Sequence, residues 1–168
     1  NSNFKTLVNL MDSMDHHNKL PSKVIFTSTS HVYGSLEKVS IYDESLNTNP
    51  KTAYSKTKFK AEQYLLNKYP SISYILRLSA VYSGSMRTNL RRRVFIKRIP
   101  YIVGKGDIRF SLCNIKNLLK VVIAIIDKKV PPSIYNVSDL NSYCYSDLHK
   151  IFQNLDRKRF IIKIPYKI

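Results

Sequence analysis

The sequence predicts an α/β fold in which a mostly parallel, doubly wound sheet is covered by helices on both faces. Short apolar runs alternate with longer amphipathic segments along most of the chain. The runs are continuously apolar, as expected of parallel strands that are buried on both faces. The chain has 168 residues, of which 43% are hydrophobic, and this is enough to bury one sizeable core.

The first half of the chain carries the clearest pattern of elements. Apolar residues at helical spacing between residues 4 and 11 predict an opening helix, and Val24-Ile25-Phe26 predicts a buried strand. A helix is predicted from Ala53 to Lys68, and Tyr74-Ile75-Leu76 is the next predicted strand. Strand, helix and strand in this order form a right-handed crossover between parallel strands.

Beyond Gly84 the predicted elements are shorter and less regular. They are a helix near 88 to 97, a strand at 101 to 103, a helix at 115 to 127, a strand at 134 to 137, a helix at 146 to 155 and a strand at 160 to 164. We therefore assign residues 1–83 to the main sheet domain. Residues 84–168 form a smaller α/β portion that is interleaved with the sheet.

The chain is strongly basic, with 28 Lys and Arg against 11 Asp and Glu and a formal net charge of +17. Such an excess can indicate a nucleic-acid partner. The bases are spread along the chain, apart from the clusters Arg91-Arg92-Arg93, Lys97-Arg98 and Arg157-Lys158-Arg159. Because no aromatic-rich RNA-binding pattern accompanies them, we favour a solvated basic face that partly serves an anionic substrate, and nucleic acid is not the expected partner.

The sequence also gives expectations for the cellular compartment, for disulfide bonds and for metal binding. No apolar run approaches the roughly 20 residues that a membrane span requires, and no basic region followed by an apolar one begins the chain. We therefore expect a cytoplasmic protein. Cys113 and Cys144 have no paired-ligand spacing, so we expect neither a disulfide framework nor a metal site.

Tyr54 and Lys58 are the first candidates for catalysis. They lie four residues apart on a predicted helix, so their side chains share one face. Tyrosine has an ordinary pKa of about 10, and a neighbouring positive charge favours the phenolate that can take a proton from a substrate hydroxyl. Thr29 follows the strand at 24 to 26, and ligands bind at the carboxyl ends of parallel strands. Its hydroxyl is therefore placed to hold the reacting oxygen.

Three sequence blocks follow one another in a specific order. Residues 24–34 end in Val-Tyr-Gly, residues 52–58 read Thr-Ala-Tyr-Ser-Lys-Thr-Lys, and residues 75–82 read Ile-Leu-Arg-Leu-Ser-Ala-Val-Tyr. Together they resemble the extended short-chain dehydrogenase/reductase family, in its NAD-dependent epimerase/dehydratase group. Looser likenesses follow at residues 87–90, 114–118 and 135–138.

The resemblance implies a partial Rossmann-like sheet with NAD as the cofactor and a nucleotide sugar, most often a UDP-sugar, as the substrate. It implies that Tyr54 is the catalytic base, that Lys58 tunes it, and that Thr29 is the catalytic Ser/Thr. The residues implied to bind the cofactor are Lys58, Tyr54, Ser28, Leu78 and Ser79. The residues implied to bind the substrate are Thr29, Ser30, His31, Asn89, Leu90 and Arg109. Residues 84–168 are the implied substrate-binding portion, and family members often form homodimers.

Members of this family begin with a Gly-x-x-Gly-x-x-Gly turn, which lets the backbone approach a pyrophosphate at a helix N-terminus. The four glycines of this chain, Gly34, Gly84, Gly104 and Gly106, do not lie on such a turn. We therefore expect an N-terminally incomplete copy of the fold. A chain without this turn is not expected to catalyse the reaction unaided.

Two classes of function follow from these observations. The favoured one is an NAD-dependent epimerase acting at C4 of a UDP-sugar, because family dehydratases follow the catalytic Thr with Asp-Glu, whereas Ser30-His31 follow Thr29 here. A 4,6-dehydratase or a reductase of the same family is the alternative. A non-catalytic remnant or a polyanion-binding module is the second alternative, motivated by the missing glycine turn and the charge.

Overall fold

The computed structural model describes residues 2–34, 41–152 and 161–165. In chain order the elements are α1 (Ser2–His16), β1 (Val24–Thr29), a 3-10 turn (Ser30–Tyr33), α2 (Ala53–Lys68), β2 (Ser73–Leu78), β3 (Ala80–Tyr82), α3 (Thr88–Val94), β4 (Phe95–Ile96), β5 (Ile99–Val103), β6 (Leu112–Asn114), α4 (Ile115–Ile126), β7 (Ile134–Val137), α5 (Tyr145–Phe152) and β8 (Ile162–Ile164). The basic segment Arg157-Lys158-Arg159 and the ends of the last predicted helix and strand lie outside the described residues.

The chain divides into two compact units. Unit 1 contains residues 1–79 and 120–137, and unit 2 contains residues 80–119 and 138–168. The chain therefore passes from unit 1 into unit 2, returns to unit 1 at residue 120 and enters unit 2 again at residue 138. Assigning NAD binding and substrate binding to residues 1–83 and 84–168 stays a prediction.

Unit 1 is built on a parallel sheet with the strand order β1-β2-β7. The crossover from β1 through α2 to β2 is the one that the sequence predicts, and the α/β fold class is confirmed. Helix α2 begins where Thr52 and Ser55 exchange side-chain to backbone hydrogen bonds, both 3.1 Å long. Such a capping box satisfies N–H groups that a helix start leaves unpaired, and it stabilises the helix by about 1 kcal/mol.

The core of unit 1 forms where α1 and α2 pack on the sheet. Leu65 of α2 and Ile75 of β2 are fully buried and cluster with Met11 and Tyr69. Residues 73–77 of β2 are all buried, which explains why this strand is apolar apart from Ser73 and Arg77.

Among its described residues, unit 2 contains two small sheets, one formed by β3 and β6 and one with the order β4-β5-β8. Its core is an aliphatic and aromatic cluster contributed by α3, β6 and α5. The buried members are Leu90, Val94, Leu112, Tyr145, Leu148 and Phe152. Within the described ranges, no helix combines the length and the apolar character that are needed to cross a bilayer.

The helix predicted near 88 to 97 is wrong at its end. Helix α3 stops at Val94, and Phe95-Ile96 pair in antiparallel fashion with Ile99-Pro100. Phe95 is extended, with φ −132° and ψ 134°, and its ring lies 5.3 Å from that of Phe152. Packing of this aromatic side chain against the core overrides the helical spacing of the sequence.

Asp139 joins several segments of unit 2. Its carboxylate accepts hydrogen bonds from the backbone N–H of Asn114 at 2.7 Å, from Asn117 Nδ2 at 2.8 Å and from the hydroxyls of Tyr82 and Tyr143 at 2.9 and 2.8 Å. Burial alone would raise the pKa of Asp139, but these hydrogen bonds outweigh burial and hold the pKa below its usual 3.8.

Replacing Asp139 by Asn is expected to lower the free energy of unfolding by about 2 kcal/mol at neutral pH, because charge-assisted hydrogen bonds become neutral ones. Since the folded-state pKa is depressed, the carboxylate stabilises the fold above pH 3.8 and loses this effect as the pH falls through the folded pKa. Urea unfolding between neutral pH and pH 2 should therefore show a shallower acid-dependent loss in Asp139→Asn. Equal acid slopes in the two proteins would contradict this role.

Candidate active site

The carboxyl ends of β1, β2 and β7 lie at one edge of the unit 1 sheet. Thr29 is the register partner of Leu78, and Leu78 is the partner of Val137. The backbone N–H of Ser79 donates to the Val137 carbonyl at 3.0 Å. The structure therefore brings Thr29, Leu78 and Ser79, three of the predicted site residues, to the edge where parallel sheets bind ligands.

Tyr54 and Lys58 lie one turn apart near the start of α2. Both side chains line a recess of about 50 Å³, whose other walls are Phe4, Phe26, Thr57 and Ala61. Tyr54 is 57% exposed, so its hydroxyl is open to a ligand. Tyr54 and Lys58, the candidate base and its candidate cation, thus share this recess with apolar side chains of α1 and β1.

Lys58 is held in a defined orientation. Its Nζ donates to the carbonyl oxygen of Thr27 at 2.8 Å and lies 4.8 Å from the centre of the Phe26 ring. The ring face attracts the ammonium, and the carbonyl fixes its direction. Partial burial lowers the pKa of Lys58 from its ordinary 10.5, because desolvation disfavours the charged form.

Thr29, Ser30 and His31 form the turn that ends β1. The Thr29 hydroxyl oxygen accepts the N–H of His31 at 3.3 Å and so caps the 3-10 turn. Thr29 is 6% exposed and His31 is exposed. The turn ends at Gly34, whose φ is +70° and where a Cβ would collide with the Asn49 carbonyl. A glycine is needed here, which explains the Val-Tyr-Gly end of the first sequence block.

A buried ion pair lies directly beneath this turn. Glu62 of α2 and Arg77 of β2 are 0% and 3% exposed, and Arg77 Nη2 lies 2.7 Å from Glu62 Oε2. Arg77 Nε donates to the same carboxylate, and the Ser28 hydroxyl donates to Glu62 Oε1. Burial alone would lower the pKa of Arg77, but its hydrogen bonds to Glu62 and Tyr33 raise it above its usual value. The guanidinium thus stays paired and charged.

The network continues from Arg77 across the site. Arg77 Nη1 donates to the Tyr33 hydroxyl at 3.0 Å, and this hydroxyl donates to Asn136 Oδ1 at 2.8 Å. The backbone N–H of Asn136 in turn donates to Glu44 Oε1 at 2.6 Å, and its Nδ2 donates to the Tyr42 carbonyl at 3.0 Å. Tyr33 therefore packs and bonds within the scaffold.

The remaining predicted residues have local partners in their own units. Ser28 is buried with its hydroxyl on Glu62. In unit 2, Asn89 Nδ2 donates to the Val81 carbonyl at 2.7 Å, Leu90 is buried in the core, and Arg109 Nε donates to Ser142 Oγ at 2.6 Å. The ligand-binding roles of these four residues stay predictions.

The sequence analysis did not predict the ion pair between Glu62 and Arg77. The available signal was Arg77, a charge inside the apolar run Ile75-Leu76-Arg77-Leu78. Such a base must meet a buried acid, and Glu62 is the acidic residue of the preceding helix that faces β2. The pairing itself needed the three-dimensional structure.

The fold and this site define a class of proteins with a parallel sheet, a Tyr and Lys pair on the helix after a Ser/Thr-rich strand end, and ligand binding at that edge. The model of the NAD dependent epimerase/dehydratase family matches residues 1–138. The chain belongs to this family, whose members are NAD-dependent. No match was found among curated proteins.

Several solved structures share the fold. UDP-glucuronic acid 4-epimerase from Bacillus cereus superposes with a TM-score of 0.74 at 22% identity, over 98% of this chain and 54% of that one. UDP-N-acetylglucosamine 4-epimerase from Methanobrevibacter ruminantium gives 0.72 at 21% identity, over 95% and 54%. dTDP-glucose 4,6-dehydratase from Bacillus anthracis, in complex with NAD, gives 0.70 at 17% identity, over 96% and 55%. The chain spans about half the length of these proteins.

The residues of unit 1 fit one end of NAD. Tyr54 and Lys58 present a hydroxyl and an ammonium on one recess with the apolar Phe26 beside them, a donor set that suits a ribose and a flat nicotinamide ring. The glycine-rich turn for the pyrophosphate is not in this sequence. In the part of the chain that the structure describes, no group of three or more His, Cys, Asp or Glu side chains could hold a metal ion.

Replacing Arg77 by Met is expected to lower the free energy of unfolding by about 3–5 kcal/mol, because it leaves the Glu62 carboxylate buried without its cation. The double variant Glu62→Leu/Arg77→Met removes both charges and should recover part of this loss. Urea unfolding monitored by circular dichroism measures both.

A surface pair supplies the matched control for this prediction. Lys68 lies 2.8 Å from Asp12, but the two side chains are 45% and 47% exposed. Lys68→Met should therefore change stability much less than Arg77→Met. Similar losses in the two single variants would show that burial of the Glu62–Arg77 pair is not the cause.

Proposed function

We propose that the protein containing this chain is an NAD-dependent nucleotide-sugar epimerase, acting at C4 of a UDP-sugar. The observation that carries the proposal is the shared recess of Tyr54 and Lys58 on α2, which is lined by Phe26 of β1, the strand that ends at Thr29. Family membership supports the cofactor and the class of substrate.

Each residue of this set has a distinct chemical task. The Tyr54 hydroxyl takes the proton of the sugar hydroxyl at the reacting carbon and later returns it. Lys58 holds positive charge beside that phenol and binds the nicotinamide ribose. The Thr29 hydroxyl donates a hydrogen bond to the reacting oxygen and fixes its position. NAD, when bound, supplies a reversible acceptor for hydride.

The surroundings of Thr29 favour an epimerase over a dehydratase. Eliminating water from a sugar needs a further acid and base next to the reacting ring. Dehydratases of the family carry an Asp-Glu pair directly after the catalytic Thr, whereas Ser30 and His31 follow Thr29 here. A 4,6-dehydratase or a reductase is the alternative within the family.

The substrate proposal extends to unit 2 and to the surroundings of the protein. Arg109 can present its planar donors to a diphosphate, with Asn89 and the backbone of Leu90 beside the sugar, and Ser28, Leu78 and Ser79 beside the cofactor. We expect a cytoplasmic homodimer that supplies nucleotide sugars for polysaccharide synthesis. Residues 1–168 alone are expected to be inactive, because the sequence holds no glycine-rich turn for the pyrophosphate of NAD.

Tyr54→Phe, made in the complete gene product that contains residues 1–168, is expected to reduce kcat at least about 100-fold, because it removes the base and leaves the ring in place. The assay supplies NAD with UDP-glucose, UDP-N-acetylglucosamine or UDP-glucuronic acid and separates the 4-epimers by chromatography. Tyr64→Phe is the matched control, since Tyr64 lies on the same helix and its hydroxyl donates to Asp12.

The outcomes of this assay separate the candidate functions. Unchanged turnover in Tyr54→Phe removes the assigned base. A 4-keto product in place of an epimer identifies a dehydratase. No turnover of any of these sugars by the unmodified gene product, with NAD bound or not, favours the non-catalytic remnant.

A further inference from the structure

The hairpin formed by β4 and β5 has an unusual outer surface. Its two strands are joined by Lys97 and Arg98, and Ile96 is the register partner of Ile99. Residues that face each other in an antiparallel pair project on the same side. Ile96 and Ile99 are 52% and 49% exposed, so two isoleucines lie side by side at the surface directly behind the basic tip.

The hairpin is anchored by its next pair, which faces the other way. Pro100 is buried, and the Phe95 ring packs edge to face on Phe152 and on His149, at 5.3 and 5.9 Å. Because side chains alternate along a strand, this anchoring keeps Ile96 and Ile99 outside. An outward pair on such a hairpin is ordinarily polar.

Two basic residues lie between the isoleucines in the chain, and further bases lie on the adjacent helix. Lys97 and Arg98 are exposed, and Lys97 has φ +56°, a conformation for which hairpin turns favour Gly or Asn. Arg91 and Arg92 of the adjacent α3 are also exposed, and Arg91 Cζ lies 5.6 Å from the centre of the Phe95 ring. In the sequence, no Asp or Glu occurs between Glu62 and Asp107.

This combination fits a lipid surface better than a nucleic acid. Proteins that bind single-stranded nucleic acid offer exposed aromatic rings on which bases stack, whereas the exposed large apolar side chains of this hairpin are both aliphatic. At the boundary between anionic head groups and acyl chains, aliphatic side chains are stabilised by burial, and the neighbouring Lys and Arg are stabilised by attraction to the head groups.

The geometry points to a peripheral membrane-docking site: the basic hairpin, residues 95–100, binds the surface of an anionic phospholipid bilayer. Ile96 and Ile99 insert at the head-group level, and Lys97 and Arg98 contact the lipid phosphates and carboxylates. The site is independent of Tyr54 and Lys58, so it can hold whether or not the proposed reaction is correct.

The test is sedimentation of the full chain with vesicles of phosphatidylcholine, with and without about 30 mol% phosphatidylserine. We expect binding to the anionic vesicles only, and weaker binding as salt is raised. Lys97→Asn/Arg98→Gln should weaken binding about thirtyfold, the factor for two bases near an anionic surface. Ile96→Ser/Ile99→Ser should weaken it about tenfold and leave the salt dependence in place.

Matched variants elsewhere control for total charge and for general stickiness. Lys120→Gln/Lys128→Gln removes two exposed bases of α4 and the turn after it, and Ile123→Ser removes an isoleucine that is 54% exposed. Both should bind vesicles as the unmodified chain does, within about threefold. Circular dichroism shows that each variant is folded.

Three results would overturn the inference. One is no binding to anionic vesicles at low salt. Another is a loss in the control variants as large as in the hairpin variants. The third is that the hairpin variants abolish binding to a single-stranded RNA, or self-association of the chain, and leave vesicle binding unchanged, which would assign the surface to another partner.

Discussion

The buried ion pair between Glu62 and Arg77 is the constraint on which the arrangement of unit 1 depends. A carboxylate and a guanidinium removed from water are stable only when paired and fully hydrogen-bonded. Glu62 lies on α2, the helix that carries Tyr54 and Lys58, and Arg77 lies on the central strand. Ser28 and Tyr33 complete their hydrogen bonds from the end of β1 and the turn after it. The register between helix, strand and turn is therefore set by polar geometry as well as by apolar packing.

This constraint explains how the candidate site can be both open and well ordered. Tyr54 is largely exposed and His31 lies at the surface, so contacts around these side chains do little to fix them. Their backbones belong to elements that the Glu62 network ties together one or two turns away. Rigid support beneath an accessible surface is what positional catalysis requires.

The parts of the fold that the sequence could predict are those in which local pattern and packing agree. Helix α2 was predicted from Ala53 to Lys68 and is observed there, because its spacing, its Thr52 cap and its buried face all favour a helix. The end of α3 was not predictable, because Phe95 is drawn into the core of unit 2 by Phe152. Tyr54 and Lys58 could be predicted as neighbours from their helical spacing, and Thr29 could be placed at the end of a strand, while the roles of all three stay predictions. The partners of Arg77 and Asp139 could not, since they come from distant segments.

The hydrogen bond from Lys58 to the Thr27 carbonyl has a thermodynamic consequence for any ligand that needs this ammonium. An ammonium has three N–H donors and the Thr27 carbonyl accepts from one of them, so a ligand can accept from the others while this bond stays in place. The gain lies in entropy, because the long side chain has already lost its rotamer freedom against Phe26 and the strand. A lysine that is already ordered thus binds a ligand at a smaller entropic cost, and only from the directions in which its remaining N–H groups point.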